Sequence, residues 1–128
     1  MKKEHKFFIC KHCGNIAGML AFSGVIPVCC GEPMKELEPN TADASAEKHV
    51  PVIKTEDGKI TVEIGSALHP MIEAHHINWI YIQTEKGGQR KSLTPTGAPS
   101  ASFTLTDDDK LISAFAYCNL HGLWKVDA

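Results

Sequence analysis

The chain has 128 residues, of which 43% are hydrophobic, and a formal net charge of −2 at pH 7. That length allows one modest core, or a core and a mini-domain. The near-neutral charge argues against nucleic acid as the main partner, and no apolar run is long enough to span a bilayer. The basic start, Met1-Lys2-Lys3-Glu4-His5-Lys6, is followed by no signal-peptide apolar core, so a cytoplasmic chain is expected. Five cysteines fit a pure disulfide framework poorly because the number is odd. In a reducing compartment, clustered cysteines hold metal or do redox chemistry.

Lys6-Phe7-Phe8-Ile9 reads as a short strand leading into Cys10-Lys11-His12-Cys13-Gly14-Asn15. The CxxC spacing lets two thiolates reach one metal from a tight turn, with Gly14-Asn15 supplying backbone freedom. Val25-Ile26-Pro27-Val28 then delivers Cys29-Cys30-Gly31, completing the pattern Cys10-x2-Cys13-x15-Cys29-Cys30, a strong metal signal. A thioredoxin-like motif would need a βαβ setting, and c-type haem attachment would need a histidine where Gly14 stands. A unit this small cannot bury a sufficient core unaided, so a tetrahedral metal–S4 centre of zinc or iron is also its staple. Adjacent ligands Cys29 and Cys30 should strain the tetrahedron, because neighbouring side chains diverge. His5 and His12 are surplus to four sulfurs and are expected to be exposed.

Leu37 to Ala46 is polar, small-residued and broken by Pro39; it reads as a linker over about 38–46. The expected domains are therefore 1–37 and 38–128. From residue 47 the pattern is β. Ile60, Val62 and Ile64 alternate with polar neighbours, Ile77 to Ile82 is apolar on both faces and reads as a central strand, and Ala101, Phe103 and Leu105 alternate again. Leu111 to Cys118 and Leu123 to Val126 are further strands, with turn signals at Asp57-Gly58, Gly87-Gly88, Thr94-Pro95-Thr96-Gly97 and Asp107-Asp108-Asp109. With no convincing helical stretch, the expected fold is mainly β, an antiparallel β-sandwich, with Trp79 and Trp124 as core aromatics.

Four places in this second domain carry candidate ligands: His49 in Glu47-Lys48-His49-Val50-Pro51, His69 before Pro70, the pair His75-His76, and Cys118 with His121. Any one histidine alone is better read as surface or satisfied core. Five histidines and a cysteine, all at strand ends or in loops, point to a site, and one soft sulfur with several imidazoles suits a transition metal such as iron or copper. His75 and His76 cannot both face one metal from an extended chain, since successive side chains take opposite faces. The residues alone leave open which of the two does.

These motifs together resemble desulfoferrodoxin, the two-iron class of superoxide reductase, over essentially the whole length. The matching pieces are Cys10-x2-Cys13 with Cys29-Cys30, Glu47-Lys48-His49-Val50-Pro51, His69-Pro70-Met71 with His75, and Cys118-Asn119-Leu120-His121-Gly122-Leu123-Trp124. The resemblance implies a small desulforedoxin-like N-terminal domain with an iron held by Cys10, Cys13, Cys29 and Cys30. It implies an immunoglobulin-like, neelaredoxin-like sandwich with a second iron, held equatorially by His49, His69, His75 and His121 and axially by Cys118. The family motif favours His75 over His76, although an aromatic usually stands where His76 does.

The reaction so implied is one-electron reduction of superoxide to hydrogen peroxide. Five protein ligands would leave one octahedral position open, and the trans thiolate would push electron density toward it. By resemblance, Glu47 can occupy the open position in the oxidised form and Lys48 draws in superoxide. A rubredoxin-type electron donor and a homodimer are implied as well; a structural calcium stays open. The rival readings are electron carriers: a blue-copper protein, which wants an axial Met where none follows Met71, and a rubredoxin-like shuttle, which leaves the C-terminal set unused.

Overall fold

The structure, a computed structural model, describes residues 4–128. The chain divides into two compact units, Met1–Glu38 and Pro39–Ala128.

In the first unit, β1 (Phe7–Ile9) is flanked by β2 (Ile16–Gly18) and β5 (Lys35–Glu36), both antiparallel. A separate two-residue hairpin joins β3 (Val28–Cys29) to β4 (Glu32–Pro33). Its core is small: Phe8, Cys10 and Met34 are buried, with Ala17, Met19, Phe22 and Cys29 packed against them. With Phe7, also buried, these side chains are still too few to hold such a unit, so its stability must draw on the cysteines.

The second unit is an immunoglobulin-like sandwich. One sheet has the order β10-β7-β6, from β6 (Pro51–Glu56), β7 (Lys59–Ile64) and β10 (Ser100–Thr104). The other has the order β12-β11-β8-β9, from β8 (Ile77–Thr84), β9 (Gly87–Ser92), β11 (Leu111–Cys118) and β12 (Gly122–Asp127). Ile60, Val62 and Ile64 of β7 pack with Ile80 and Ile82 of β8 and Ala114, Ala116 and Cys118 of β11. The period-two alternation of β7 thus faces inward as expected, and β8 lies between β9 and β11.

Three sequence expectations are corrected. Residues 46–49 form one helical turn, α1 (Ala46–His49), rather than strand. Ser45 precedes it, and Pro51 forces Val50 back to an extended backbone and ends it. Gly87-Gly88 is not the turn: Thr84 pairs with Gly87, so Glu85-Lys86 turns the chain and the glycines begin β9. There the Tyr81 ring lies where a Cβ on Gly88 would be. Trp79 is half-buried outside the core and stacks on Tyr117, ring centroids 5.7 Å apart; Trp124 is buried.

The linker is tied to the sandwich. Asn40, at φ 62°, donates its N–H to the Leu123 carbonyl and its Nδ2 to the Lys125 carbonyl, and its Oδ1 accepts the Lys125 N–H.

Candidate metal centres

Cys10, Cys13, Cys29 and Cys30 converge, with their four sulfurs within 4.8 Å of one another. Cys13 and Cys29 are 3.6 Å apart, Cys29 and Cys30 4.0 Å. A tetrahedron with metal–sulfur bonds of about 2.3 Å has edges of about 3.8 Å, so the set fits a metal. The first knuckle is closed by Gly14 at φ 81°, whose N–H donates to the Cys10 carbonyl at 2.9 Å. The second solves the problem of adjacent ligands through the backbone. Cys30 is left-handed at φ 53° and Gly31 follows at φ 77°, which turns the second sulfur back toward the first.

The electrostatics of this cluster suit a cation. The N–H of Cys13 holds the Cys10 thiol down to about 6, whereas the sulfurs of Cys13, Cys10 and Cys29 push the Cys30 thiol up to about 12. Four sulfurs this close cannot all ionise by themselves; a bound metal ion removes that conflict. His12 is exposed and pairs with Glu32 at 3.1 Å, while His5 is half-buried rather than exposed. Neither joins the sulfurs.

The second cluster gathers His49, His69, His75, His121 and Cys118. His49 is delivered by α1, His69 by the loop after β7, His75 by the bend before β8, and Cys118 and His121 by the β11–β12 hairpin. Gly122, at φ 75°, closes that hairpin.

The four rings stand in cyclic order. His49 and His69 are 4.6 Å apart at 81°, His69 and His75 4.5 Å at 80°, His75 and His121 5.2 Å at 78°, and His121 and His49 4.9 Å at 85°. His49 and His75, across the ring, are 6.1 Å apart and tilted by only 30°. Successive imidazoles therefore turn edge to face around a square.

The donor atoms point inward. His49 Nε2 is 3.2 Å from His69 Nε2 and 3.1 Å from His121 Nδ1, and Cys118 Sγ is 3.4 Å from His69 Nε2 and 4.0 Å from His121 Nδ1. Neighbouring donors around an ion with bonds of about 2.1 Å lie about 3 Å apart. His75 Nε2 is buried with no hydrogen-bond partner, a costly state that a coordinate bond relieves. This donor set, too, fits a metal.

His76 is turned elsewhere. Its Nδ1 is 3.0 Å from the Ile72 carbonyl and its Nε2 3.4 Å from Asn78 Nδ2.

Burial favours the neutral form of three of these rings, His49, His69 and His75. It pushes His69 down to about 4 and lowers His49 and His75, helped by the His121 ring and, more weakly, by the Lys48 charge. Burial raises the Cys118 thiol, against backbone hydrogen bonds from Leu120 and His121 that favour its thiolate. Glu47 and Lys48 are exposed on the turn that carries His49.

Two contributors escaped the sequence reading. Trp124 donates its indole N–H to the His121 carbonyl at 3.1 Å, and its ring lies 4.9 Å from His49; the sequence placed it in the core and at the end of the Cys118 motif without a role at the site. Gly65, at φ 88°, lets the loop before His69 lie against the Glu47–Lys48 backbone, where a Cβ would be 2.8 Å from the Glu47 oxygen.

The desulfoferrodoxin family model matches residues 41–127. A desulfoferrodoxin homolog of Archaeoglobus fulgidus is 44% identical over 98% of each chain. The desulfoferrodoxin of Nitratidesulfovibrio vulgaris is 43% identical over the full length of both. Among solved structures, the superoxide reductase from Treponema pallidum aligns with a TM-score of 0.83 and 37% identity, covering 98% of this chain and all of that one.

Proposed function

The chain belongs to the desulfoferrodoxin family, and from that premise we propose that it is a superoxide reductase. The observation that carries the proposal is the square of four inward-facing imidazoles with the Cys118 sulfur beside it. A blue-copper carrier would leave two of these histidines surplus, and here all four are gathered.

Superoxide, one electron and two protons give one hydrogen peroxide. An iron ion held among these donors would supply that electron. His49, His69, His75 and His121 would hold it as neutral ligands and leave its positive charge in place to attract an anion. Cys118, fully buried in the sandwich core, would donate electron density from the buried side, as thiolates do in haem proteins. The Leu120 and His121 N–H groups temper that donation by hydrogen-bonding the sulfur. Lys48 would draw superoxide in, and Glu47 would compete with it for the iron. Their position on the turn of His49 supports both roles.

A second iron would sit with Cys10, Cys13, Cys29 and Cys30 in a desulforedoxin-like domain of residues 1–37, leaving 38–128 as the catalytic domain. The electron donor is taken to be a rubredoxin-type carrier. Leu68, Ile72 and Leu120, in the loops that carry the ligands, are exposed and offer apolar contacts for it. A homodimer is consistent with the exposed Leu20, Val25 and Val28 of the first unit. Clustered metal-ligating cysteines suit a reducing, cytoplasmic setting, and no helix among the described residues is long and apolar enough to cross a membrane.

The deciding experiment is metal analysis followed by reaction of the reduced protein with a superoxide pulse. Two irons per chain, and one peroxide formed per superoxide without oxygen release, are expected. Copper or zinc in the His/Cys set, or dismutation with oxygen release, would overturn the proposal.

A further inference from the structure

Strand parity alone does not choose between His75 and His76. At this end of β8 the ladder is irregular: Tyr117 pairs with Trp79 but Cys118 pairs with Ile77, so Asn78 has no partner on β11. A bulge of this kind leaves the inward–outward phase of the preceding residues free. A slip of one residue would exchange the two histidines.

One side chain grips the backbone on both sides of His75. Asn119 Oδ1 accepts the His76 N–H at 2.8 Å, and Asn119 Nδ2 donates to the Ala74 carbonyl at 3.1 Å. The backbone N–H of Asn119 also donates to the His76 carbonyl, at 3.1 Å. An amide presents an acceptor and a donor in one plane, so it can stand in for a neighbouring strand's peptide. An aspartate would keep the acceptor and lose the donor. Asn119 also follows Cys118 directly. The residue next to the Cys118 sulfur ligand in the chain therefore clamps the segment that carries His75.

We propose that Asn119 is a positioning residue that selects His75 over His76 as the fourth imidazole and sets its distance to Cys118. The proposal rests on reading the His/Cys cluster as a metal site. Asn119 fixes the two peptide planes that aim the His75 ring; the bridge between Ile72 and His75, with N–H to carbonyl distances of 3.0 Å both ways, completes the bend. Without the amide, the bend can rotate and His76 can compete for the site.

The test uses cobalt(II) as the probe on the full chain. Difference spectra against the Cys118→Ser protein isolate the second centre, and transfer to a chelator gives its release rate. Asn119→Ala should release cobalt from this centre about 10- to 100-fold faster, the usual cost of losing support around a ligand. Its spectrum should split into two components that collapse to one when His76→Ala is added. Asn119→Asp should fall between wild type and Asn119→Ala. A wild-type spectrum with release changed by less than about twofold would overturn the proposal. So would a loss of metal-free stability with no spectral change. Should Asn119→Ala fail to fold, Asn119→Asp decides by the same two readouts. Wild-type protein that takes up no cobalt at this centre would instead remove the metal-site reading, and the proposal with it.

Discussion

The Nε2 atoms of His49 and His69 face each other at 3.2 Å, and neither carries a hydrogen to share. Each ring sets its Nδ1 against a backbone carbonyl, that of Ser45 at 2.7 Å for His49 and that of Pro70 at 2.6 Å for His69. A carbonyl only accepts, so each Nδ1 holds the proton of its neutral ring. The two lone pairs left facing inward repel unless a cation lies between them.

Acid should therefore undo this centre. Burial holds His69 down to about 4 from an ordinary 6.5. Above pH 6.5 the folded and unfolded chains are alike at this ring. As pH falls toward 4, the unfolded chain takes up a proton that the folded one refuses, and stability is lost. His69 contributes at most about 3 kcal/mol of this pH dependence, and the lowered pKa values of His49 and His75 act in the same direction. The urea midpoint of the metal-free protein should fall steadily through that window. A flat midpoint would show that the rings are solvated.

Cys118→Ser tests the sulfur. Serine is a harder and poorer donor, so the variant should lose the thiolate-to-iron absorption of the second centre and its capacity to reduce superoxide. The absorption from Cys10, Cys13, Cys29 and Cys30 should remain. A variant with iron in place and an unchanged rate would make Cys118 a structural thiol.

His75→Ala should lower metal occupancy of the second centre, while His76→Ala leaves it nearly full, because His75 Nε2 is buried with no hydrogen-bond partner and His76 is bonded elsewhere. Metal content per chain checks this, and the reverse ranking would refute it.

Lys48 is expected to act on encounter. The chain carries a net charge of −2, so attraction of an anion needs a local positive focus. Lys48→Ala should slow the reaction of the reduced protein with superoxide by about tenfold. The wild-type rate should fall with ionic strength more steeply than the variant's. Equal rates and equal salt slopes would leave Lys48 a solvated loop residue.

Gly65→Ala reaches the centre through the backbone. At φ 88°, with the Glu47 oxygen and Lys48 Cα each 2.8 Å from the added Cβ and the Ala67 oxygen closer still, the loop leading to His69 and the turn carrying His49 must move apart. We expect a loss of about 2 kcal/mol or more and reduced occupancy of the His/Cys centre. Urea unfolding and metal content read both effects, and a variant matching wild type in both would contradict the packing described.

What the sequence revealed depended on how local the signal was. Alternation exposed β7, because one face of Ile60, Val62 and Ile64 is buried and the other wet. It said nothing of β9, Gly87–Ser92, whose residues are mostly exposed and polar. The turn that carries His49 was invisible because four residues show no helical period. The ligand types were legible from Cys and His spacing. Their arrangement around a square was not, since it arises from four separate chain segments. The assignment of Trp79 to the core failed because an apolar run on both faces of β8 does not reveal which face is covered.

Asn40 has a consequence for solubility. β12 is an edge strand, and the Leu123 carbonyl and the Lys125 N–H and carbonyl on its outer side are groups with which another chain could pair. Asn40 answers them with both ends of its side chain and its own N–H, so one residue serves as a blocking strand. A fragment trimmed to begin after it would keep every metal ligand of the second centre and expose a ready edge for self-association.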